Sequence, residues 1–306
     1  MMTIKELEIR WNAIDPYSGG YLLISGDHPL SFHIGYHSSE QKSFVVLNTG
    51  KIDGLKSSKA ITAKCLEVDH QFILRFVLNY PSLDEIFIKL CWDLMESSKT
   101  SQNPVEQIRN QYSKWMRLLQ KATDDILSSS QQKGLLGELL YLQESLNELE
   151  PADAIDAWVG PEGSDQDFIF IQSWAEIKAV SIAATDVQIS SLQQLDREDT
   201  GHLIVYFMDK TTGTGAQPIS LPKLITQIEE KLSEGSLRDT FQCKLTQYGY
   251  LSRDKEKYLS INYRLAECRK YKVMEDFPKL MRTNVPNAVV NAKYRLDLLM
   301  LDEWKI

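Results

Sequence analysis

Residues 164–180, SDQDFIFIQSWAEIKAV, constrain this 306-residue chain more than any other stretch. Two short runs rich in aromatic and β-branched residues, DFIFI and SWAEIKAV, flank Gln172 and Ser173. Such runs read as strands, and a tight turn at Gln172–Ser173 closes them into a hairpin. Position 171 then faces 174, 169 faces 176 and 167 faces 178. Side chains alternate along a strand, so Phe168, Phe170, Ala175, Ile177 and Ala179 share an apolar face. Asp167, Glu176 and Lys178 share the other. The alignment depends on the turn, because a slip of one residue moves a whole side-chain set to the opposite face.

Charges inside a central hairpin cost roughly several kcal/mol per ion if left unpaired. Two carboxylates and an ammonium are tenable there if a divalent cation and water complete the cluster. Hard oxygen ligands suit Mg²⁺ or Mn²⁺, and magnesium is commonly held by one or two carboxylates plus substrate phosphate. Lys178 can orient a water or neutralise developing charge, which points to metal-assisted attack on a phosphodiester. A solvated hairpin with a surface ion-pair cluster is the other reading of these three residues, and such clusters contribute little.

Upstream, KGLLGELLYLQESLNEL places Leu135, Leu139, Leu142, Leu146 and Leu149 on one stripe of a helix. Glu138 falls at the edge of that stripe, where a carboxylate can reach a site beside the sheet. Gly134 and Gly137 flank it, although each costs up to about 1 kcal/mol against Ala in a helix. Close backbone approach is one explanation; a solvated edge glutamate is the bland one.

The rest of the chain supplies context. Residues 3–14 read as a short amphipathic helix. GYLLISG, LSFHIGYH, SFVVLN, AITAKCLEV and HQFILRFVLNY read as an antiparallel β-meander. A helix over 81–97 follows, and the polar stretch SSKTSQNP at 97–104 suggests a boundary. The expected organisation is an N-terminal β-rich (α+β) domain over 1–100 and a second domain over 101–306. In the second domain, helices are expected over 105–122 and 131–150, a strand or loop at 151–164, a strand at DVQIS, a helix from SLQQLDRE, a strand at GHLIVYFMD and a helix from SLPKLITQIEEKLSE. Later strands are expected within YLSINYRLAECRKYKV and NAVVNAKYRLDLLML. The loop TTGTGAQP holds a G-x-G without the context of a phosphate loop.

The formal net charge is −8, which disfavours simple non-specific DNA binding. The distribution is uneven. Residues 244–295 hold 12 Lys or Arg against 5 Asp or Glu, with six tyrosines among them (248, 250, 258, 263, 271 and 294). A phosphate-contacting surface is expected there. Cys65, Cys91, Cys243 and Cys268 form no C-x-x-C pair, so free thiols are expected and a zinc site is not. His33 and His37 sit in a strand-like run, and a solvated or cross-strand pair is the expected reading. No leader or membrane-spanning run is apparent, so a cytoplasmic location is expected.

The order of these elements carries a resemblance. A helix with Glu138 precedes a strand with Asp167, then a strand with Glu176-x-Lys178, then a strand and the start of a helix with Gln194. This resembles the PD-(D/E)XK nuclease superfamily. The wording GLLGELLYL, AWVGPEGSDQDFIF, AEIKAV and VQISSLQQLD is similar to one bacterial family, often encoded in phage-defence or restriction-modification neighbourhoods. The resemblance is best over about 130–210 of this sequence.

It implies an α/β fold: a restriction-endonuclease-like mixed sheet flanked by helices. It implies a metal held by Asp167, Glu176, the Ile177 carbonyl and Glu138, with Lys178 placing the attacking water. Gln194 is implied to contact the site or the DNA backbone, with Gln188 as the alternative. The Pro of the motif is Gln166 here, so Asp165 competes with Asp167. The implied activity is that of a metal-dependent DNA endonuclease in a defence or restriction system. A catalytically silent nuclease-like subunit, docking DNA or an ATPase or methyltransferase partner, is the alternative. A plain interaction protein is the third reading.

Overall fold

A computed structural model describes residues 2–24, 26, 28–121, 126–212 and 218–306, with side chains at 117–121 outside the description. The TTGTGAQP loop therefore lies mostly outside the described residues. The chain divides into two compact units, 1–123 and 124–306, so the division falls about twenty residues beyond the polar stretch.

In the first unit, α1 (Ile4–Asn12) starts at a capping box in which the Thr3 side chain and Glu6 exchange hydrogen bonds. Five strands follow: β1 (Tyr21–Leu23), β2 (Ser31–Ser38), β3 (Gln41–Leu47), β4 (Ile61–Val68) and β5 (Gln71–Leu78). They form one antiparallel sheet in the order β1-β2-β3-β5-β4. This departs from a simple meander, because β5 inserts between β3 and β4. Strand alternation sends Phe32, Ile34, Phe44, Val46, Leu74 and Phe76 to one buried face. Two helices, α2 (Asp84–Lys99) and α3 (Pro104–Lys121), complete the unit. The second belongs here because its Trp115 and Gln111 both donate to Asp93 of α2, each at 2.6 Å. Its Tyr112 ring meets Phe76 of β5.

The second unit begins with α4 (Ser129–Glu148), capped by a Ser128–Gln131 capping box. The expected strand or loop after it is instead a helix, α5 (Pro151–Ala157), with Pro151 at its first position. The strands β6 (Phe168–Ile169), β7 (Ser173–Val180), β8 (Asp186–Ile189) and β9 (Thr200–Thr211) follow. Then come α6 (Leu221–Lys231), α7 (Gly235–Tyr248), α8 (Lys255–Tyr258), β10 (Asn262–Val273) and β11 (Tyr294–Asp297). The main sheet runs β10-β9-β7-β6, with β7 and β9 parallel and the other pairs antiparallel. A β8–β11 ribbon stands apart.

The main sheet is buried on both faces. Ala175, Ile177, Ile204, Tyr206 and Met208 pack with the leucines of α4 and with α6 and α7. Trp174, Leu203, Val205 and Phe207 pack with β8, β11 and the segment around Phe277 and Leu298. The fold is thus α/β with a mixed, restriction-endonuclease-like sheet, helices on one face and the ribbon on the other. No expected helix forms after Ser190. Ser190 N–H donates to the side-chain Oε1 of Gln194 at 2.7 Å, and residues 191–195 are turns. No described helix is long and apolar enough to cross a membrane.

The basic, tyrosine-rich stretch differs from expectation. Tyr250, Tyr258, Tyr263 and Tyr271 are core residues. Six of the stretch's twelve cations, Lys244, Arg253, Lys257, Arg269, Lys270 and Arg295, are ion-paired within the unit. The four cysteines are free thiols.

Candidate active site

The hairpin forms, but its turn sits one residue earlier than expected. Phe168 pairs with Ala175 and Ile169 with Trp174, so Ile171 and Gln172 make the turn. The correction moves the pairing along β7 by two residues. Position 167 falls opposite Glu176 rather than Lys178, and position 165 opposite Lys178. Two is the side-chain period of a strand, so the faces are unchanged.

The strand β6 stops at Phe168, and the chain before it crosses the sheet edge. Val159 N–H and Gly160 N–H both donate to the Asp167 carbonyl at 2.9 Å. Asp167 Oδ2 accepts from Ile177 N–H at 2.8 Å. The side chain thereby replaces the next rung of the ladder. Within a strand, the N–H and C=O of one residue point to the same edge, so the Ile177 carbonyl shares the edge that faces Asp167. Asp165 is exposed and has no such tie.

Glu138 reaches this edge from α4. A Cβ built on Gly160 would stand 2.9 Å from both Glu138 Oε2 and Asp167 Oδ1, so the two carboxylates converge on one point. Only a residue without a side chain leaves that space free. Gly137 has the parallel role in packing: a Cβ there would lie 3.2 Å from Ile177 Cγ2, so helix and strand are in close contact beside the site. Trp158, fully buried, donates its indole N–H to Glu138 Oε2 at 2.7 Å.

Glu176 and Lys178 lie on the other end of the cluster. Lys178 Nζ donates to Glu176 Oε1 at 2.5 Å and to Gln194 Oε1 at 3.3 Å. Glu176 is 1% exposed, and its Oε2 is buried with no hydrogen-bond partner. Gln194 is therefore at the site, although on a turn rather than a helix, and Gln188 on β8 is exposed.

Burial dominates the electrostatics. It pushes the Glu138 carboxyl well above the usual range, with Asp167 and then Glu176 adding repulsion and the Trp158 N–H opposing. Burial also lifts Asp167 to about 6, against the pull of Lys178 and the Ile177 N–H. Glu176 is raised by burial and by Asp167, and Lys178 opposes this.

These features fit a divalent cation. Three carboxylates crowd together, and one buried oxygen has nothing to satisfy it. Among the described residues, no three His, Cys, Asp or Glu side chains already close into a metal cage. Asp167 Oδ2 and Glu176 Oε1 are taken by Ile177 and Lys178. Each oxygen keeps a second lone pair, and Asp167 Oδ1 and Glu176 Oε2 accept no hydrogen bond among the described residues, so a cation here would be held by one or two carboxylates completed by water.

Three neighbours were not expected at this site, although Lys244 and Tyr248 lie in the stretch expected as a phosphate-contacting surface. Trp158 read as part of a strand or loop. Lys244 Nζ donates to the Trp158 carbonyl at 2.5 Å and to Glu162 at 2.9 Å, anchoring the segment that holds Glu138. Tyr248 packs on α4, its hydroxyl 2.7 Å from where a Cβ on Gly134 would stand. Burial, with Glu138 and Asp167 nearby, raises its phenol. Both side chains come from α7, a helix the sequence pattern did not single out.

Over residues 7–299 the chain matches the model of a family described as "Putative PD-(D/E)XK family member" (DUF4420). No curated protein and no solved structure matches it.

Proposed function

Because this chain belongs to that PD-(D/E)XK family, we propose that it is a Mg²⁺- or Mn²⁺-dependent DNA endonuclease of a bacterial defence or restriction system. The partnerless, buried Glu176 Oε2 beside Asp167 carries the reading. A folded protein rarely leaves such an atom unsatisfied without a use for it.

In this reading Asp167 and Glu176 hold the ion, with the Ile177 carbonyl and Glu138 as further ligands, directly or through water. The bound ion supplies Lewis-acid stabilisation of the phosphodiester and a more acidic water. Lys178, steadied by Glu176 and Gln194, is placed to orient that water and to offset charge on the phosphate. Trp158 holds the Glu138 carboxylate in position. The seal of buried apolar residues beneath the hairpin strengthens every one of these charge interactions.

Purified protein is expected to cut DNA with Mg²⁺ or Mn²⁺, and Lys178→Ala to abolish cutting while leaving Mn²⁺ binding measurable by calorimetry. Undiminished cutting by that folded variant sinks the assignment.

The 2.5 Å contact between Lys178 and Glu176 favours one second reading. In that reading the pair is permanent, and the chain is a nuclease-like subunit that docks DNA, an ATPase or a methyltransferase without cutting. That reading expects no Mg²⁺ or Mn²⁺ binding in the same calorimetry.

A further inference from the structure

The first unit carries a cationic notch on the solvent face of its sheet. Arg75 lies on β5, an interior strand, and is half-buried. Its cross-strand neighbours are Val45 on β3 and Lys64 on β4. Like charges directly opposite one another destabilise a sheet. Among the described residues, neither Arg75 nor Lys64 makes an ion pair or hydrogen bond through its side chain. Other cations of the first unit, Lys42 and Lys89, are by contrast ion-paired.

Neutral hydrogen-bonding groups surround the pair. The notch, about 150 Å³, is lined by the pair, by the polar His37, Gln41, Thr62 and Asn79, and by Val77. A register shift between Tyr36 and Ser38 marks a bulge at His37, and bulges re-aim side chains. No carboxylate is among the lining residues. The arrangement is a guanidinium and an ammonium converging with neutral polar groups around them, the chemistry of an anion receptor.

We propose that this notch binds a backbone phosphate of a nucleic-acid strand. A half-open notch of about 150 Å³ meets one phosphate without enclosing a whole small molecule, for which pockets run from about 300 Å³ upward, and this suits a phosphate carried on a polymer. The choice of DNA rests on the nuclease reading above; the phosphate chemistry does not.

The test is fluorescence anisotropy on the full chain with a labelled DNA duplex in EDTA, so that no cutting occurs. Wild type is compared with the double variant Lys64→Gln/Arg75→Gln and with Lys64→Glu. The last is at an exposed position and leaves the sheet core untouched. Removing one phosphate contact is expected to lower the salt slope of log affinity by about 1, which is roughly tenfold in affinity near 0.1 M salt. Lys64→Glu is expected to weaken binding as well.

Wild-type affinity and slope in both variants would overturn the proposal, as would wild type failing to bind DNA at all. A nucleoside triphosphate is expected to compete no better than inorganic phosphate. A triphosphate that binds tightly to wild type and not to the double variant would overturn the assignment to a polymer. The nuclease reading fails separately, on the absence of Mn²⁺-dependent cutting.

Discussion

Glu176 is buried beside a second carboxylate, yet it keeps one oxygen without a partner. Its fellow Asp167 illustrates the cost. Burial pushes the Asp167 carboxyl from an ordinary 3.8 up to about 6, against the pull of Lys178 and the Ile177 N–H. A proton therefore binds the folded state more tightly than the unfolded one. The stabilisation it brings is complete below about pH 3.8 and is lost as pH rises through about 6. Thermal melts in EDTA are expected to show this loss in wild type and not in Asp167→Asn, as the difference between the two curves from pH 4 to 6.5. Adding Mg²⁺ should raise the melting temperature more at pH 7.5 than at pH 5, because the ion competes with those protons. Equal metal-induced shifts at both pH values would contradict the metal site. Glu176 and Lys178 were legible in the sequence because strand alternation puts i and i+2 on one face whatever the register. Trp158 and Tyr248 were not. Trp158 lay in a stretch expected as strand or loop and Tyr248 in a set expected at a surface, and only the fold shows the Trp158 N–H donating to Glu138 and Tyr248 packed on α4 near it.

Elements were legible where periodicity was strong, as in α4, β7 and β9. They were missed where a local side chain overrode the pattern. After Ser190 the chain runs through bends and turns, and the Gln194 side chain accepts the Ser190 N–H within that local loop. The helix α7 went unassigned because its buried positions do not form a simple stripe. Glycines give this scale its sharpest tests. Gly160→Ala would push a methyl to within 2.9 Å of Glu138 Oε2 and Asp167 Oδ1. It should abolish Mn²⁺ binding and cutting while costing no more than about 1–3 kcal/mol of stability, read by calorimetry and urea denaturation side by side. Gly201→Ala meets the Trp174 ring at 2.1 Å. It should instead lower the denaturation midpoint markedly, by at least the same about 1–3 kcal/mol. Intact metal binding in the first variant, or an unchanged midpoint in the second, would contradict the packing described.

At the scale of the molecule, the resemblance of one short region extended to nearly the whole chain, since the family match covers residues 7–299. Composition had no means of showing this, nor that the tyrosines of the last third build a core. Each unit has its own buried core, so residues 124–306 expressed alone are expected to fold and to keep Mn²⁺ binding. A cooperative thermal transition and a calorimetric isotherm matching the full chain would bear this out; an unfolded fragment would show that the first unit is needed.

The hairpin of β6 and β7 has one more implication. Its turn could move by a residue without breaking the convergence of Asp167, Glu176 and Lys178, because pairing then shifts by two and every side chain keeps its side. Deleting or inserting a single residue between Asp167 and Glu176 would shift the pairing by one and turn the acids away from each other. The hairpin thus acts as a parity check: relatives of this chain that work by the same site should differ in length here by even numbers, unless a bulge restores the count.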